Sequence, residues 1–167
     1  SVNGNLELLP LEFKDDTSSV SISGANLDID STAEGKKVKA EGCMNSLKVA
    51  VVDANGAPFD VEFAGLTVAS NVEKSTFGFY TGQNTIELTD TKLTFGPQKA
   101  VLTLKGFEQK DSSDIKDNNM DGRVDYKIDE IGYQGKPVGS AAMALSLKNI
   151  DVPSGLLLTK LYQDKMQ

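Results

Sequence analysis

One stretch of the chain carries oxygen-bearing side chains at the spacing that a calcium loop requires. It runs from Asp117 to Asp125 and reads Asp-Asn-Asn-Met-Asp-Gly-Arg-Val-Asp. Asp117, Asn119, Asp121 and Asp125 stand at its first, third, fifth and ninth positions, and Gly122 stands at the sixth. Alternate oxygens can converge on one hard cation while the glycine permits a sharp turn. These four side chains are therefore a candidate calcium site.

The match to a calcium loop is incomplete. Its twelfth position, normally a bidentate Glu, is Ile128, and the residues before Ile128 alternate like a strand. A site here would need a further ligand, such as Asp114 or Asp111. The alternative is an acidic hairpin loop closed by Asp121-Gly122, in which Asn and Asp stabilise the turn by themselves. The sequence favours this alternative over calcium.

Other familiar chemistries lack their residues. The chain has no histidine and a single cysteine, Cys43, which excludes Ser-His and Cys-His pairs, Cys-based zinc sites and CxxC redox pairs. Two carboxylates could support glycosidase chemistry only at a suitable separation, which a sequence does not give. We therefore expect a non-enzymatic protein without a cofactor, the candidate calcium ion aside.

Length and charge suggest one domain and limit its partners. The 167 residues suit one β domain over 1–167, as a piece of a longer exported protein, with a helical tail over 153–167. A net charge of -7 and a single arginine argue against nucleic acid. The longest apolar runs are far shorter than the ~18 residues of a transmembrane helix, so no span is predicted in this chain.

The period of the apolar residues predicts strands. Apolar and polar residues alternate along Phe59–Phe63 and Val124–Ile128, among other runs, as they do in a sheet with one wet face. Asn55-Gly56 lies between two such runs and predicts a hairpin with a type I′ turn. We therefore expect a mainly antiparallel all-β fold. A parallel β-helix is the alternative, although no repeat near 20 residues supports it.

Several strands contain two apolar sets spaced so that a regular strand would place them on opposite faces. Phe63 and Leu66 are one example, and Leu104 and Phe107 are another. A bulge or bend is expected between them, for which Ala64-Gly65 and Lys105-Gly106 are well suited. Long bent strands predict a strongly curved meander sheet or an open barrel. The polar stretch 109–119 is expected to be an exposed loop, and the residues from Pro153 a short helix.

From Thr76 to the C-terminus, the chain resembles the YdgA-like family of bacterial exported proteins, whose function is unknown. The resemblance rests on the following segments: Phe77–Tyr80, Ile86–Leu88, Asp121–Ile131, Gly135–Gly139 and Leu145–Pro153. It implies a periplasmic protein tethered to the inner membrane through a segment outside this chain. It attaches no catalytic residues to the family.

Three functions follow from these observations. The first is a non-enzymatic cell-envelope module whose curved sheet binds an apolar ligand, such as a lipid, or a partner protein. The second is a scaffold domain whose edge strands pair with other domains of the same polypeptide. The third, and weakest, is an enzyme that acts on polysaccharide through paired carboxylates.

Overall fold

The computed structural model describes residues 1–165, which form one sheet and one helix. The sheet has ten strands and is strongly curved without closing into a barrel. The strands are β1 (Val2–Leu8), β2 (Leu11–Lys14), β3 (Ser18–Ile22), β4 (Ala25–Ser31), β5 (Lys37–Val52), β6 (Pro58–Lys74), β7 (Tyr80–Phe95), β8 (Ala100–Lys116), β9 (Asn119–Tyr133) and β10 (Lys136–Asp151). The helix α1 spans Val152–Lys165 and follows β10 directly.

The sheet is an antiparallel meander. From β5 to β10, each strand pairs with the next one in the chain. On the other side of β5, β4 pairs with its first half and β3 pairs with its second half. β1 then pairs with β4, and β2 pairs with β3. The expected antiparallel fold is confirmed, and the parallel β-helix alternative is wrong because every pairing is antiparallel.

The hairpin at Asn55-Gly56 is confirmed, but its turn is not type I′. Gly56 has a φ of 77°, whereas Asn55 is not among the residues with positive φ. The Asp53 carboxylate accepts hydrogen bonds from the backbone N–H groups of Asn55 and Ala57, which supports a longer loop. The short turn that joins β9 to β10 has two central residues of positive φ, Gln134 and Gly135.

A bend crosses the sheet at the predicted position. Gly65 and Gly106 have φ values of 66° and 64°, and the regular pairing of each strand with its neighbours is interrupted there. A Cβ atom at Gly65 would overlap the side chain of Thr89 on β7, and one at Gly106 would overlap that of Asp129 on β9. Glycine is therefore required by both conformation and space. The bend divides the sheet into two halves. We call the half that contains Phe59–Phe63 the near half, and the half on the other side of the bend the far half.

The expected loop over 109–119 is wrong. Residues 109–116 continue β8, and the turn lies at Asp117 and Asn118, whose φ values are 50° and 67°. The error has a physical reason, because this part of β8 bears polar side chains on both faces and shows no alternation. Asp121-Gly122, taken as the closure of the loop, lies inside β9.

The predicted C-terminal helix is confirmed over the described residues, while 166–167 lie outside them. Asp151 precedes it, and its carboxylate accepts a hydrogen bond from the Ser154 N–H at 2.9 Å. This is the geometry of a helix N-cap, and hydrogen bonding by the Ser154 hydroxyl and N–H lowers the pKa of Asp151. Val152 is buried and donates its N–H to the carbonyl of Asn118. The leucines of the helix remain exposed.

Over residues 1–165, no second layer packs across the sheet. The strands contact their sheet neighbours, and α1 contacts β10. Val152 is the one apolar side chain in this part of the chain that is buried. The accessible surface is 11739 Å², whereas a compact protein of the same mass exposes about 8,000 Å². The chain therefore has a sheet without a covered core.

Candidate functional site

Apolar side chains fill one face of the near half. Directly paired residues lie on the same face of a sheet, so the strand pairings connect them into rows. The row next to the bend joins Leu11, Ile22, Leu47, Phe63, Thr91, Leu104 and Ile131. The second row joins Phe13, Val20, Val49, Val61, Leu93, Leu102 and Tyr133. We call this surface the near apolar face.

The near apolar face is open at its outer parts and more enclosed at the bend. Phe13 and Phe59 are 56% and 54% exposed, whereas Thr91 is 7% exposed. Thr91 lies between Phe63 and Leu104 in the row beside the bend. The bend thus provides the most enclosed part of a surface that is otherwise uncovered by this chain.

The corresponding face of the far half contains a polar row. Ser70, Asn84 and Asp111 are cross-strand neighbours on β6, β7 and β8. The Ser70 hydroxyl donates to the Asn84 side-chain oxygen at 2.6 Å, and the Asn84 amide donates to the Asp111 carboxylate at 2.7 Å. All three side chains are half-buried. Val68 and Val124 lie beside this row on the same face.

The opposite face of the sheet carries charged pairs. Lys48 lies 2.9 Å from Glu62 across β5 and β6, and Lys105 lies 2.9 Å from Glu130 across β8 and β9. The Glu130 carboxylate raises the pKa of Lys105. These pairs are exposed, so each contributes little to stability. Their arrangement is that of a solvated face.

The structure separates Asp125 from the other three residues of the candidate calcium site. Asp117 is in the β8–β9 turn, while Asn119, Asp121 and Asp125 lie along β9. Asp121 and Asp125 are four residues apart on one extended strand, a distance of about 13 Å. Calcium ligands lie 2.3–2.6 Å from the ion, so two carboxylates this far apart cannot bind one ion together.

Two of these carboxylates have other partners. Arg123 makes a bidentate ion pair with Asp125, and this pair lowers the pKa of the Asp125 carboxyl. Asp121 accepts the backbone N–H of Asn149 at 2.7 Å. No cluster of three or more metal-binding His, Cys, Asp or Glu residues occurs in the described part of the chain. Calcium binding stays a prediction, and a melting curve with and without a chelator tests it.

A shallow depression brings together the remaining candidates for that site. Asp117, Asn119 and Asp121 line it with Asp114, which is the carboxylate that the sequence suggested as a replacement ligand. Asp111 lies elsewhere, in the polar row with Asn84.

Cys43 is exposed, and its thiol lies 3.0 Å from the Asn26 side-chain oxygen.

The polar row was not predicted from the sequence. Ser70 interrupts the alternating apolar run Leu66, Val68, Val72, which is the one local sign of a polar position on that face. Asn84 and Asp111 give no such sign, because their pairing depends on the register of β7 and β8.

Among residues 1–165, no helix has the length and apolar character needed to cross a membrane.

Comparison with known proteins gives a family without an established function. A family model described as a bacterial protein of unknown function, DUF945, matches residues 1–167. The chain is 22% identical over 152 residues to Protein YdgA of Escherichia coli (strain K12). That match covers 89% of this chain but 30% of the relative, so the chain spans less than a third of that protein. No solved structure matches the chain.

Proposed function

We propose that this chain, which belongs to the bacterial DUF945 family of unknown function, is a non-enzymatic cell-envelope module that binds an apolar ligand on its curved sheet. The ligand class is the acyl chain of a lipid, and the binding surface is the near apolar face. Within this proposal, the protein is periplasmic and is tethered to the inner membrane through a segment outside this chain.

The uncovered near apolar face is the observation that carries this proposal. Phe13, Phe59 and Tyr133 are each about half exposed on it, together with smaller Val and Leu side chains. Folded proteins seldom leave an apolar patch of this extent in water unless it meets a ligand, a membrane or a partner. The accessible surface of the chain is also larger than that of a compact protein of the same mass, which supports a binding role for the uncovered face.

The chemistry of the face favours an acyl chain. Its two central rows consist of Val, Leu, Ile and aromatic residues with one threonine, so their side chains offer apolar contact area with few polar groups, the hydroxyls of Thr91 and Tyr133. Apolar ligands gain stability in proportion to the apolar area they bury, about 25 cal/mol per Å². The charged residues lie on the opposite face, as in the pairs formed by Lys48 and Lys105.

Lipid extraction with mass spectrometry and titration with a fluorescent fatty acid test the proposal. Leu102→Asp places a charge on the near apolar face, whereas Thr103→Asp places the same charge on the opposite face of the same strand, next to Lys92. We expect Leu102→Asp to abolish probe binding and Thr103→Asp to retain it. Circular dichroism establishes that both variants are folded. A wild-type protein that binds neither lipid nor probe, or equal loss in both variants, would contradict the proposal.

A scaffold role is the second candidate. Both outer edges of the sheet, at β1–β2 and at β10, lack a neighbouring strand within the described residues. The relative is more than three times as long as the matched segment, so other domains of such a polypeptide are available to pair with these edges. A polysaccharide-active enzyme has weaker support, since acidic groups such as Glu62 and Glu130 are paired with lysines on the solvated face.

A further inference from the structure

The two free edges of the sheet differ in their protection against strand pairing. The β1–β2 edge is broken into segments of seven and four residues at Leu9-Pro10. It carries charges at Glu7, Glu12 and Lys14. Short strands, proline and charges are the devices by which proteins prevent edge-to-edge association. This edge is therefore protected.

The β10 edge has none of these devices along its regular part. Residues 141–147, Ala-Ala-Met-Ala-Leu-Ser-Leu, pair with β9 without interruption and contain no charge and no proline. All sixteen residues of β10 are exposed, with Met143, Leu145 and Leu147 between 51% and 61%. Helix α1 leaves these side chains uncovered. Such an edge offers a row of backbone N–H and C=O groups to another strand.

We propose that β10 pairs antiparallel with β10 of a second copy of this chain, about a two-fold axis at Ala144. This pairing joins two sheets into one. It uses the strand edge, not the near apolar face, so it can fail while the ligand proposal stands.

The sequence of β10 is self-complementary in this register. Leu147 pairs with Ala141, Met143 with Leu145, and Ser146 with Ala142, so each larger side chain lies opposite a smaller or flexible one. All residues of odd number in this segment continue the face that contains Met143 and Leu145. A register centred on Ala142 instead brings Lys136 and Lys148 towards each other on opposing strands, and like charges on opposing strands are destabilising. The Ala144 register avoids that repulsion.

Molar mass measured by light scattering after size exclusion tests the pairing. A monomer has a mass of 17.9 kDa, and we expect the wild-type protein to give twice this value. Ala144→Lys places two lysines directly opposite each other in the paired state, with Cβ atoms about 5 Å apart, and this repulsion should give the monomer mass. Asn3→Lys, on the protected edge, should leave the dimer unchanged. Circular dichroism checks that the lysine variants retain the sheet.

A cross-linking experiment tests the register and covers the case in which Ala144→Lys fails to fold. In a Cys43→Ser background, Ala144→Cys places two thiols directly opposite each other at a separation suited to a disulfide. We expect oxidation to give a covalent dimer with Ala144→Cys and none with Asn3→Cys. A wild-type protein that is monomeric at every concentration, or a dimer that persists unchanged in Ala144→Lys, would overturn the proposal. Equal cross-linking of both cysteine variants would do the same.

Discussion

The two halves of the sheet share strands and differ in what they place on corresponding faces. In the near half, rows such as Val61, Leu93 and Leu102 cross the sheet with apolar side chains. In the far half, apolar pairs such as Val68 and Ile86 continue the same face, and the row through Ser70, Asn84 and Asp111 interrupts them with polar, hydrogen-bonded side chains. The two halves therefore differ in how continuous their apolar surface is. We expect a ligand to make more apolar contact with the near half, where no such polar row interrupts the surface.

Loss of the bend should have the largest effect on this arrangement. Gly65→Val introduces a β-branched side chain at a φ of 66°, where it would also overlap Thr89. We expect the free energy of unfolding to fall by about 2–4 kcal/mol, from left-handed strain and steric overlap. Urea denaturation measures the change. Gly4→Val is the matched control, since a Cβ there meets nothing within 4 Å, and a loss equal to that of Gly65→Val would contradict this explanation.

The bend was predictable from the sequence, whereas the polar row was not. Two apolar residues three positions apart, such as Phe63 and Leu66, conflict with the alternation of a regular strand, and a glycine between them resolves the conflict. This information is local. The pairing of Ser70 with Asn84 and of Asn84 with Asp111 depends instead on the register of three strands, which the sequence of any one strand leaves undetermined.

The same limit explains the error over 109–119, where a loop was expected. Residues 109–116 are polar on both faces, so they lack the alternation that identifies a strand, although β7 and β9 pair with them on both sides. The spacing of Asp117, Asn119, Asp121 and Asp125 fits a loop that curls around an ion. In the extended strand β9, the same spacing separates Asp121 from Asp125. A motif based on spacing therefore predicts a site only when the backbone conformation is also known.

Comparison of ligand binding by the two halves should give the next largest effect. Phe63→Ser removes a large side chain from the near apolar face, and burial of such a side chain contributes about 1.5–3 kcal/mol. We expect the affinity for a fluorescent fatty acid to fall about tenfold or more. Val124→Ser, on the far half beside the polar row, should reduce affinity much less. Equal losses would show that the ligand contacts both halves and would remove the distinction between them.

The polar row should contribute to stability on a smaller scale. Asn84→Ala removes the acceptor of the Ser70 hydroxyl and the donor to Asp111, which leaves a half-buried carboxylate without its amide partner. We expect a loss of about 1 kcal/mol in the free energy of unfolding, the usual net value for such hydrogen bonds. Gln83→Ala, on the exposed opposite face of the same strand, is the control. If Asn84→Ala has no more effect than this control, the row is incidental.

Acid should produce the smallest effect, to which Asp125 and Asp151 contribute in the far half. The pKa of Asp125 is lowered from 3.8 by the hydrogen bond and charge of Arg123, and that of Asp151 is lowered by the helix cap at Ser154. Because each carboxyl has a lower pKa folded than unfolded, its contribution is present above about pH 4 and is lost as the pH falls further. Both groups are exposed, so the loss should be slight. Asp125→Asn should reduce the difference between melting temperatures measured at pH 3 and pH 6, because that carboxyl no longer titrates. An unchanged pH dependence in this variant would show that the ion pair with Arg123 does not stabilise the far half.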